Sequence, residues 1–484
     1  MIAKKKWILL ICLSAFLWSC SDDDGGKRSP KPKVDYGEQE ALGFISVLDE
    51  NDRPLNGAKV LIGNALNSPF SGNFLTTNQR GQVMAPEAWE QALPVTVQAN
   101  GYVRVTHFLR APGGATFRLQ PHATPPSIQL SGTTTGHTIK DNDGFIDFGL
   151  VISALTRNDI LAFDLTKVIS SQMDSISVVG QKLDIPSNVA LPRQRETYLL
   201  PIRLEKPAYR LSFAKEGVQR VFAAQGRFPF KAVIDEARRE VPFYDLINHF
   251  SITGGVVRDI QIKGPGKVDL PVNELSFSTR RNFKAPALGS NEVMISMAVA
   301  SLNGWLVPTD VKKLGSNETR ALSVMNSGEV LALGVLKNSN EFDGAGVDRL
   351  SAVLSPFPTS GFTPQFVSLI PDPQVLNNGD LRFSRPSQTP SSVNALATIA
   401  IYSEIKEIPT NNGKTMPFLS RIWEVHAPKW VDGMNLPTWP DGTPKPLKKR
   451  WEVAYIGSQK QQNAELGQAV IDAATHVTHS SKDF

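Results

Sequence analysis

Between Leu42 and Leu119 the chain is a series of short segments in which apolar and polar residues alternate. Turn-forming residues separate these segments at about the 8–12-residue spacing that is typical of a small β-sandwich. Alternation with a period of two places the apolar side chains on one face of a strand, which favours sheets over helices. The residues beyond Pro126 keep this character, with longer alternating runs over 293–307 and 396–403. We therefore expect a mainly β protein, in which a small β-sandwich precedes a larger β-rich region of sandwich type.

The larger region is expected to contain one helical insertion. From Phe230 to Phe250 apolar residues recur near helical spacing, and Pro242 should break or kink that helix. The sequence predicts a flexible tether over 20–40, the small sandwich over 42–121, β-rich domains over 127–286 and 287–457, and a flexible tail over 458–484. The tail is predicted to be a short helix followed by disorder, because it is rich first in Gln and Ala and then in Thr, His and Ser.

The first twenty residues resemble the signal of a bacterial lipoprotein. Three lysines at 4–6 precede an apolar run of about twelve residues, which is too short to cross a bilayer of about 30 Å as a helix. The run ends in Leu17-Trp18-Ser19-Cys20, which is similar to a lipobox, with an aliphatic residue three positions before the cysteine. The resemblance implies a cleaved signal peptide over 1–19 and an acyl anchor on Cys20 that inserts into outer-membrane lipid. The alternative is an uncleaved anchor or a chance cysteine.

The residues after Cys20 bear on where the protein is displayed. Ser21 is not the aspartate that retains enterobacterial lipoproteins in the inner membrane, and the run Ser21, Asp22, Asp23, Asp24 resembles the acidic surface-export signal of some Gram-negative lipoproteins. This resemblance implies display on the cell surface. The alternative is a protein that faces the periplasm and whose acidic tether is simply solvated.

Cysteine content and charge exclude several classes of protein. The chain has two cysteines, Cys12 in the signal and Cys20 at the acylation site, so the mature protein has no disulfide and no thiol nucleophile. Large hydrophobic cores must therefore hold it together. Three of the 51 basic residues lie in the signal, which leaves 48 against 46 acidic residues. This balance gives no reason to expect a nucleic-acid partner.

The small sandwich resembles the carboxypeptidase regulatory-like domain. The matching residues are Gly43, Val47, Asp49, Pro54, Leu55, Gly57, Ala58, Val60, Thr77, Asn78, Gly81, Ala99, Gly101 and Tyr102. The resemblance implies a transthyretin-like, seven-stranded antiparallel sandwich that has no catalytic activity of its own. Asp52 and Asn78 stand where the family has glycine and aspartate. Because Asp and Asn tolerate left-handed backbone better than most residues, we expect the fold to be retained.

Motifs for catalysis, metal binding or cofactor binding are absent from the sequence. The seven histidines include no His-x-x-Glu or His-Glu-x-x-His spacing, and neither a Gly-x-Ser-x-Gly elbow nor a phosphate-binding loop occurs. The run Asp141 to Gly144 gathers carboxylates with Asp147, but without the distal glutamate of a calcium loop a hairpin turn is favoured. His476 and His479 could meet on one helical turn, yet no third ligand is near in sequence. We expect no catalytic residue, metal or cofactor.

Four of the eight tryptophans lie between 423 and 451. Alternation places Trp423 and Trp451 on strand faces, so we expect both in a core. Trp430 and Trp439 lie in a proline-rich loop from Pro428 to Pro446, where they would present flat apolar faces for stacking on sugar rings. The alternative is that they fold back over the sandwich. The basic residues Lys445, Lys448, Lys449 and Arg450 would favour an acidic ligand.

These features together favour a non-enzymatic, lipid-anchored protein, displayed on the cell surface, that binds a glycan polymer or an envelope protein. One alternative is a secreted carbohydrate-active enzyme, because a carboxylate pair that only the fold brings together leaves no local motif. The other is a structural component of the envelope or of an assembly.

The lipid anchor is the first testable prediction. We expect Cys20→Ser to abolish lipid attachment and to leave the uncleaved precursor, because the acylated residue is lost. Intact-mass measurement of the membrane-extracted protein checks this. An unmodified Cys20 in the wild-type protein contradicts the prediction.

Overall fold

The computed structural model of the protein describes residues 43–65, 74–138, 144–162, 168–170, 172–178, 181–192, 205–239, 243–338, 347–377, 379–411, 413 and 415–484. The predicted signal, Cys20, the acidic run from Ser21 to Asp24 and the carboxylates Asp141 and Asp143 lie outside the described residues. The fold is mainly β, which confirms the expected fold class. No helix in the described ranges is long and apolar enough to cross a membrane.

The first seven strands form the small sandwich. They are β1 (Phe44–Asp49), β2 (Lys59–Ile62), β3 (Leu75–Thr76), β4 (Gln82–Met84), β5 (Leu93–Gln98), β6 (Arg104–Arg110) and β7 (Ala115–Leu119). β1 lies between β4 and β7 in one sheet, and β6, β5, β2 and β3 are neighbours in the other. Ile45, Val47, Val97 and Phe117 are fully buried in the core that these strands share. The seven strands lie within the range predicted for the small sandwich, but β1 and β7 pair in parallel, whereas the resemblance implies an antiparallel sandwich.

The two departures from the family pattern occupy turns. Asp52 has φ 58°, so a residue that tolerates left-handed backbone stands where the turn needs one. Asn78 acts through its side chain, because its Oδ1 accepts hydrogen bonds from the amides of Arg80 at 2.8 Å and Gln82 at 3.2 Å. Both residues therefore support the turns in which they lie.

The remaining strands build the larger region. They are β8 (Ile128–Thr135), β9 (Phe145–Ser153), β10 (Met173–Val178), β11 (Gln181–Pro186), β12 (Val189–Ala190), β13 (Ala208–Phe213), β14 (Gly217–Pro229), β15 (Ser251–Ile262), β16 (Gly266–Lys267), β17 (Leu270–Pro271), β18 (Leu275–Ser276), β19 (Thr279–Lys284), β20 (Glu292–Leu302), β21 (Trp305–Leu314), β22 (Thr319–Val324), β23 (Glu329–Asn338), β24 (Val347–Pro356), β25 (Gln374–Val375), β26 (Leu381–Arg382), β27 (Asn394–Pro409), β28 (Thr415–Pro428), β29 (Gly433–Met434), β30 (Lys449–Ser458) and β31 (His476–Asp483).

Short helices interrupt these strands. They are Arg157–Ala162, Phe230–Arg238, Phe243–Leu246 and Gln468–Ala473, with a 3₁₀ turn at Ile247–His249. The helix at Phe230–Arg238 confirms the predicted helical insertion. Pro242, which was expected to break it, lies outside the described residues.

One twelve-stranded sheet connects the small sandwich to the larger region. Its strand order is β21-β20-β23-β24-β31-β30-β27-β28-β6-β5-β2-β3. The two parts meet where β28 runs parallel to β6, with Trp423 opposite Arg104 and His426 opposite His107. The main core packs Phe148 and Phe222 together with Leu333 and Ile399. The predicted boundary between 286 and 287 therefore falls inside a shared core.

The short helix predicted in the tail is present at Gln468–Ala473, but the prediction that the tail is flexible and that disorder follows the helix is wrong. Residues from His476 to Ser481 are buried in β31, which lies between β24 and β30 and pairs antiparallel with both. The polar composition misled the prediction because β31 pairs with a strand on each side and some of its polar side chains find partners. The Thr478 hydroxyl donates to the carbonyl of Ser368 at 3.0 Å, and a ring nitrogen of His476 lies 3.1 Å from the carbonyl oxygen of Gln365. A strand points residues three apart to opposite faces, so His476 and His479 do not form a metal pair.

Trp423 and Trp451 are 3% and 5% exposed, which confirms that both belong to a core. Their ring centroids are 6.4 Å apart, and Tyr402 packs on Trp451 at 5.0 Å.

We expect Trp451→Ala to lower the free energy of unfolding by about 3–5 kcal/mol, because it empties a large buried site. Trp305→Ala is the control, since Trp305 is partly exposed at the start of β21 and its loss should cost far less. Denaturant unfolding measures both. Equal losses for the two variants contradict the assignment of Trp451 to the core.

Candidate functional site

The prediction that Trp439 offers an exposed platform is wrong. Its side chain is 3% exposed, and its ring centroid lies 4.7 Å from that of Phe74 in the small sandwich. The Arg104 guanidinium lies over the same ring, 4.8 Å from its centroid. The proline-rich loop therefore folds back, because the small sandwich offers an aromatic ring and a cation that cover the indole.

Arg104 is held between two tryptophans. Its guanidinium lies 5.0 Å from the Trp423 ring centroid on one side and close to Trp439 on the other. It also donates to Gln98 Oε1 at 2.9 Å, to Thr443 Oγ1 at 2.8 Å and to the Gly442 carbonyl at 3.1 Å. Burial lowers the pKa of Arg104 to about 10, with Asp441 opposing this, so it stays charged at neutral pH. The charge links β6, β28 and the loop.

Two further contacts fix the loop on the small sandwich. Lys59 Nζ pairs with Asp441 at 2.7 Å, and the amide of Thr438 donates to the carbonyl of Asn64 at 2.7 Å. Trp430 lies at the other side of the loop, where its indole N–H donates to the carbonyl of Ile456 at 2.9 Å. Trp430 is half-buried and retains only part of its face for a ligand.

Beyond these contacts the loop projects as an exposed tip. Leu447 is fully exposed at 101%, and Lys445 and Lys448 on either side are exposed as well. The flanking Pro444 and Pro446 restrict the backbone, so the tip has few conformations to lose on binding. The lysines were expected from the sequence and Leu447 was not. A single leucine between prolines and lysines could have indicated an exposed apolar residue here.

Neighbouring strand ends extend the tip into a patch. The amide of Ile405 donates to the carbonyl of Lys448 at 3.0 Å, and the amide of Phe484 donates to the carbonyl of Lys449 at 2.8 Å. We define the tip patch by the apolar and cationic side chains at this end of the sheet: Leu447, Phe484, Lys406, Lys445, Lys448 and Lys482. Arg450 is not part of it, because it is buried and paired with Asp483 through two hydrogen bonds at 2.5 and 3.0 Å.

A second constellation is buried within the sheet. The strand registers place Asp348, Ser481, Glu452, Ile401 and Glu424 opposite one another in a row across β24, β31, β30, β27 and β28. Glu452 and Glu424 therefore lie two strand spacings apart, about 10 Å. No motif could reveal this pair, because the two residues lie on strands that only the sheet brings together.

The two glutamates have opposite electrostatic environments. Burial raises the pKa of Glu452 to about 7, although the charges of Arg450 and Arg421 oppose this. Burial also acts to raise the pKa of Glu424, but its ion pair with Arg421 and a contact of 3.2 Å with His426 lower it to about 2. Carboxyls whose pKa values are driven apart are typical of acid and base pairs. Both side chains are closed off, at 2% and 9% exposure.

Several buried polar atoms near this row have no hydrogen-bond partner among the described residues. They are Glu452 Oε1, Ser481 Oγ, His426 Nδ1 and His107 Nδ1. Burial, with the neighbouring His426 and Arg110, lowers the pKa of His107 well below its usual value, which keeps it neutral. A void of about 20 Å³ lies beside the row, lined by His479, Ala454 and Leu161, and has room for a single water.

No set of metal ligands occurs in the part of the chain that the structure describes: three or more His, Cys, Asp or Glu side chains never converge there. Among the carboxylates that the sequence gathers between Asp141 and Asp147, the structure describes Asp147. It is buried and pairs with Arg227 at 2.9 Å.

No protein-family model and no curated protein sequence matches the chain. Among solved structures, the Bacillus anthracis TIE protein is 10% identical, with a TM-score of 0.13 over 67% of this chain and 50% of its own. Two crystal structures of candidate adhesins from Bacteroides ovatus are 8% and 10% identical, with TM-scores of 0.13 and 0.12. The matches cover 48% and 55% of this chain and 83% and 93% of theirs. Likeness at this level supports no inference about fold or function.

The raised pKa of Glu452 predicts a pH-dependent stability. A folded-state pKa of about 7, above the usual value of 4.5, contributes stability that is complete below pH 4.5 and is lost as pH rises towards 7. Glu452→Gln imitates the protonated form. It should therefore match the wild type at pH 4.5 and exceed it at pH 8 by on the order of 2 kcal/mol.

Denaturant unfolding at the two pH values measures this difference. Glu465→Gln, at an exposed position, is the matched control and should give the same difference from wild type at both. A Glu452→Gln variant that is less stable than the wild type at pH 8 contradicts the prediction.

Proposed function

We propose that the protein is a lipid-anchored, surface-displayed binding protein that acts without catalysis and contacts its ligand through the tip patch. The observation that carries the proposal is the fully exposed Leu447, set between exposed lysines on a loop whose base is held by Arg104 and two tryptophans. A rigid base and a restricted tip lower the entropy lost on binding, as binding surfaces require.

The positions of the first strand and of the loop at the two ends of the small sandwich support this proposal. β7 begins at Ala115 soon after β6 ends, and it runs parallel to β1, with Ile45 opposite Ala115. Arg110, the last residue of β6, donates to the carbonyl of Gly114 just before β7, so the start of β1 at Gly43 lies at the Arg110 end of β6. The proline-rich loop is held at the other end, where Arg104 donates to Thr443. The tip patch and the point where a tether from Cys20 would join are at opposite ends of the small sandwich. Such an arrangement leaves the patch accessible when the other end is anchored.

The buried row supports a second candidate function, that of a carbohydrate-active enzyme. Glu452 and Glu424, whose backbones are about 10 Å apart and whose pKa values are about 7 and about 2, form a pair of carboxyls with opposite protonation preferences, as the acid and base of an inverting glycosidase do. Their burial favours the binding function, because a polysaccharide chain cannot reach either carboxyl in this structure. Release of reducing ends from a polysaccharide by the wild-type protein, lost in Glu452→Gln, would favour the enzyme.

Display is tested at the acidic run. Replacing Asp22, Asp23 and Asp24 with Ala should preserve lipid attachment and abolish protease access on intact cells, because the export signal is lost. Replacing the same residues with Glu is the matched control and should preserve access, since it keeps the charge. Equal access for the Ala variant and the wild type argues against surface display through this run.

A further inference from the structure

We propose that the tip patch docks on an anionic lipid surface. The inference rests on the proposed binding function and names its partner. It starts from the chemistry of the tip, where Pro444, Lys445, Pro446, Leu447 and Lys448 offer apolar contact and positive charge but no side-chain hydrogen-bond acceptor.

A sugar polymer fits this chemistry poorly. Sugar recognition through this loop would need exposed aromatic faces, and Trp439 is buried while Trp430 is half-buried. The indole N–H of Trp430 is already committed to the Ile456 carbonyl. Leu447, which is fully exposed, gains free energy on binding only from a partner that can bury its apolar side chain.

A lipid interface supplies both kinds of contact. Aliphatic and aromatic side chains such as Leu447 and Phe484 enter the boundary between headgroups and acyl chains, and lysines around them reach the phosphates. Lys448 pairs with Glu407 at 3.0 Å, and Lys406 pairs with Glu404 at 3.1 Å, but the lysines of the pairs are 65% and 48% exposed. Solvated pairs of this kind are weak, so these lysines can turn towards phosphate.

The patch also has a suitable shape. Lys482 Nζ lies 5.6 Å from the Phe484 ring centroid, so cation and apolar side chain are already adjacent. The patch combines the ends of β27, β30 and β31 with the loop, which makes it a projecting edge and not a cavity. A projecting apolar residue surrounded by lysines matches a flat anionic surface better than a closed binding pocket.

The test uses the mature chain from Ser21 to Phe484 without its acyl group, which keeps every described residue and removes the anchor. Co-sedimentation is measured with vesicles of phosphatidylglycerol and phosphatidylcholine in equal parts, and with vesicles of phosphatidylcholine alone. We expect binding to the anionic vesicles only, and a decrease with added salt. The double variant Lys445→Glu, Lys448→Glu should bind at least about thirtyfold more weakly, and Leu447→Asp at least about tenfold more weakly.

Lys231→Glu is the matched control, because Lys231 is 89% exposed on a helix outside the patch; it should bind like the wild type. Circular dichroism confirms that each variant is folded. Three results would overturn the proposal: no binding to anionic vesicles, equal binding to neutral ones, or binding to an acidic polysaccharide such as polygalacturonate without binding to vesicles. None of these results affects the protease-access experiment with the variants at Asp22 to Asp24. Surface display and lipid docking can therefore be refuted separately.

Discussion

The parallel pairing of β6 with β28, closed by Arg104 between Trp423 and Trp439, is the interaction on which the arrangement of the two parts depends. Parallel pairing needs a long connection between strands, and here that connection is most of the larger region. The pairing makes the small sandwich an extension of the main sheet. Because the cation is buried and each of its three nitrogens donates a hydrogen bond, separating the two parts would expose two indoles and leave the arginine without its partners.

The same interaction decides which part of the loop can bind. The prolines from 428 to 446 suggested a ligand loop, and a loop tryptophan can equally serve as an internal anchor. The structure uses Trp439 as the anchor, and the residues from Pro444 to Lys448 follow it as a tip in which Leu447 is fully exposed. The loss of the Trp439 platform and the fixed base of the tip are therefore two consequences of one contact.

Much of the local structure could be read from the sequence, because alternation and turn residues act over a few positions. This gave six of the seven strands of the small sandwich, the helix at Phe230–Arg238 and the core positions of Trp423 and Trp451, whereas β4 at Gln82–Met84 was missed. The fate of β31 could not be read, since a Thr-, His- and Ser-rich segment is buried only if distant strands supply hydrogen bonds on both sides. Glu424 and Glu452 were missed for the same reason: strand order, not spacing along the chain, makes them neighbours.

The buried charges are costly, and their placement explains why the sheet tolerates them. Desolvation disfavours each ion, but Arg421 and His426 compensate Glu424, and Asp483 compensates Arg450. Glu452 is compensated least by direct contact, and its raised pKa lets it avoid the cost by remaining protonated below about pH 7. Protonation removes the charge, but a protonated carboxyl keeps an O–H donor and a carbonyl acceptor, and Glu452 Oε1 has no hydrogen-bond partner among the described residues. The row lies closed within the sheet, whereas the lysines around Leu447 remain in water.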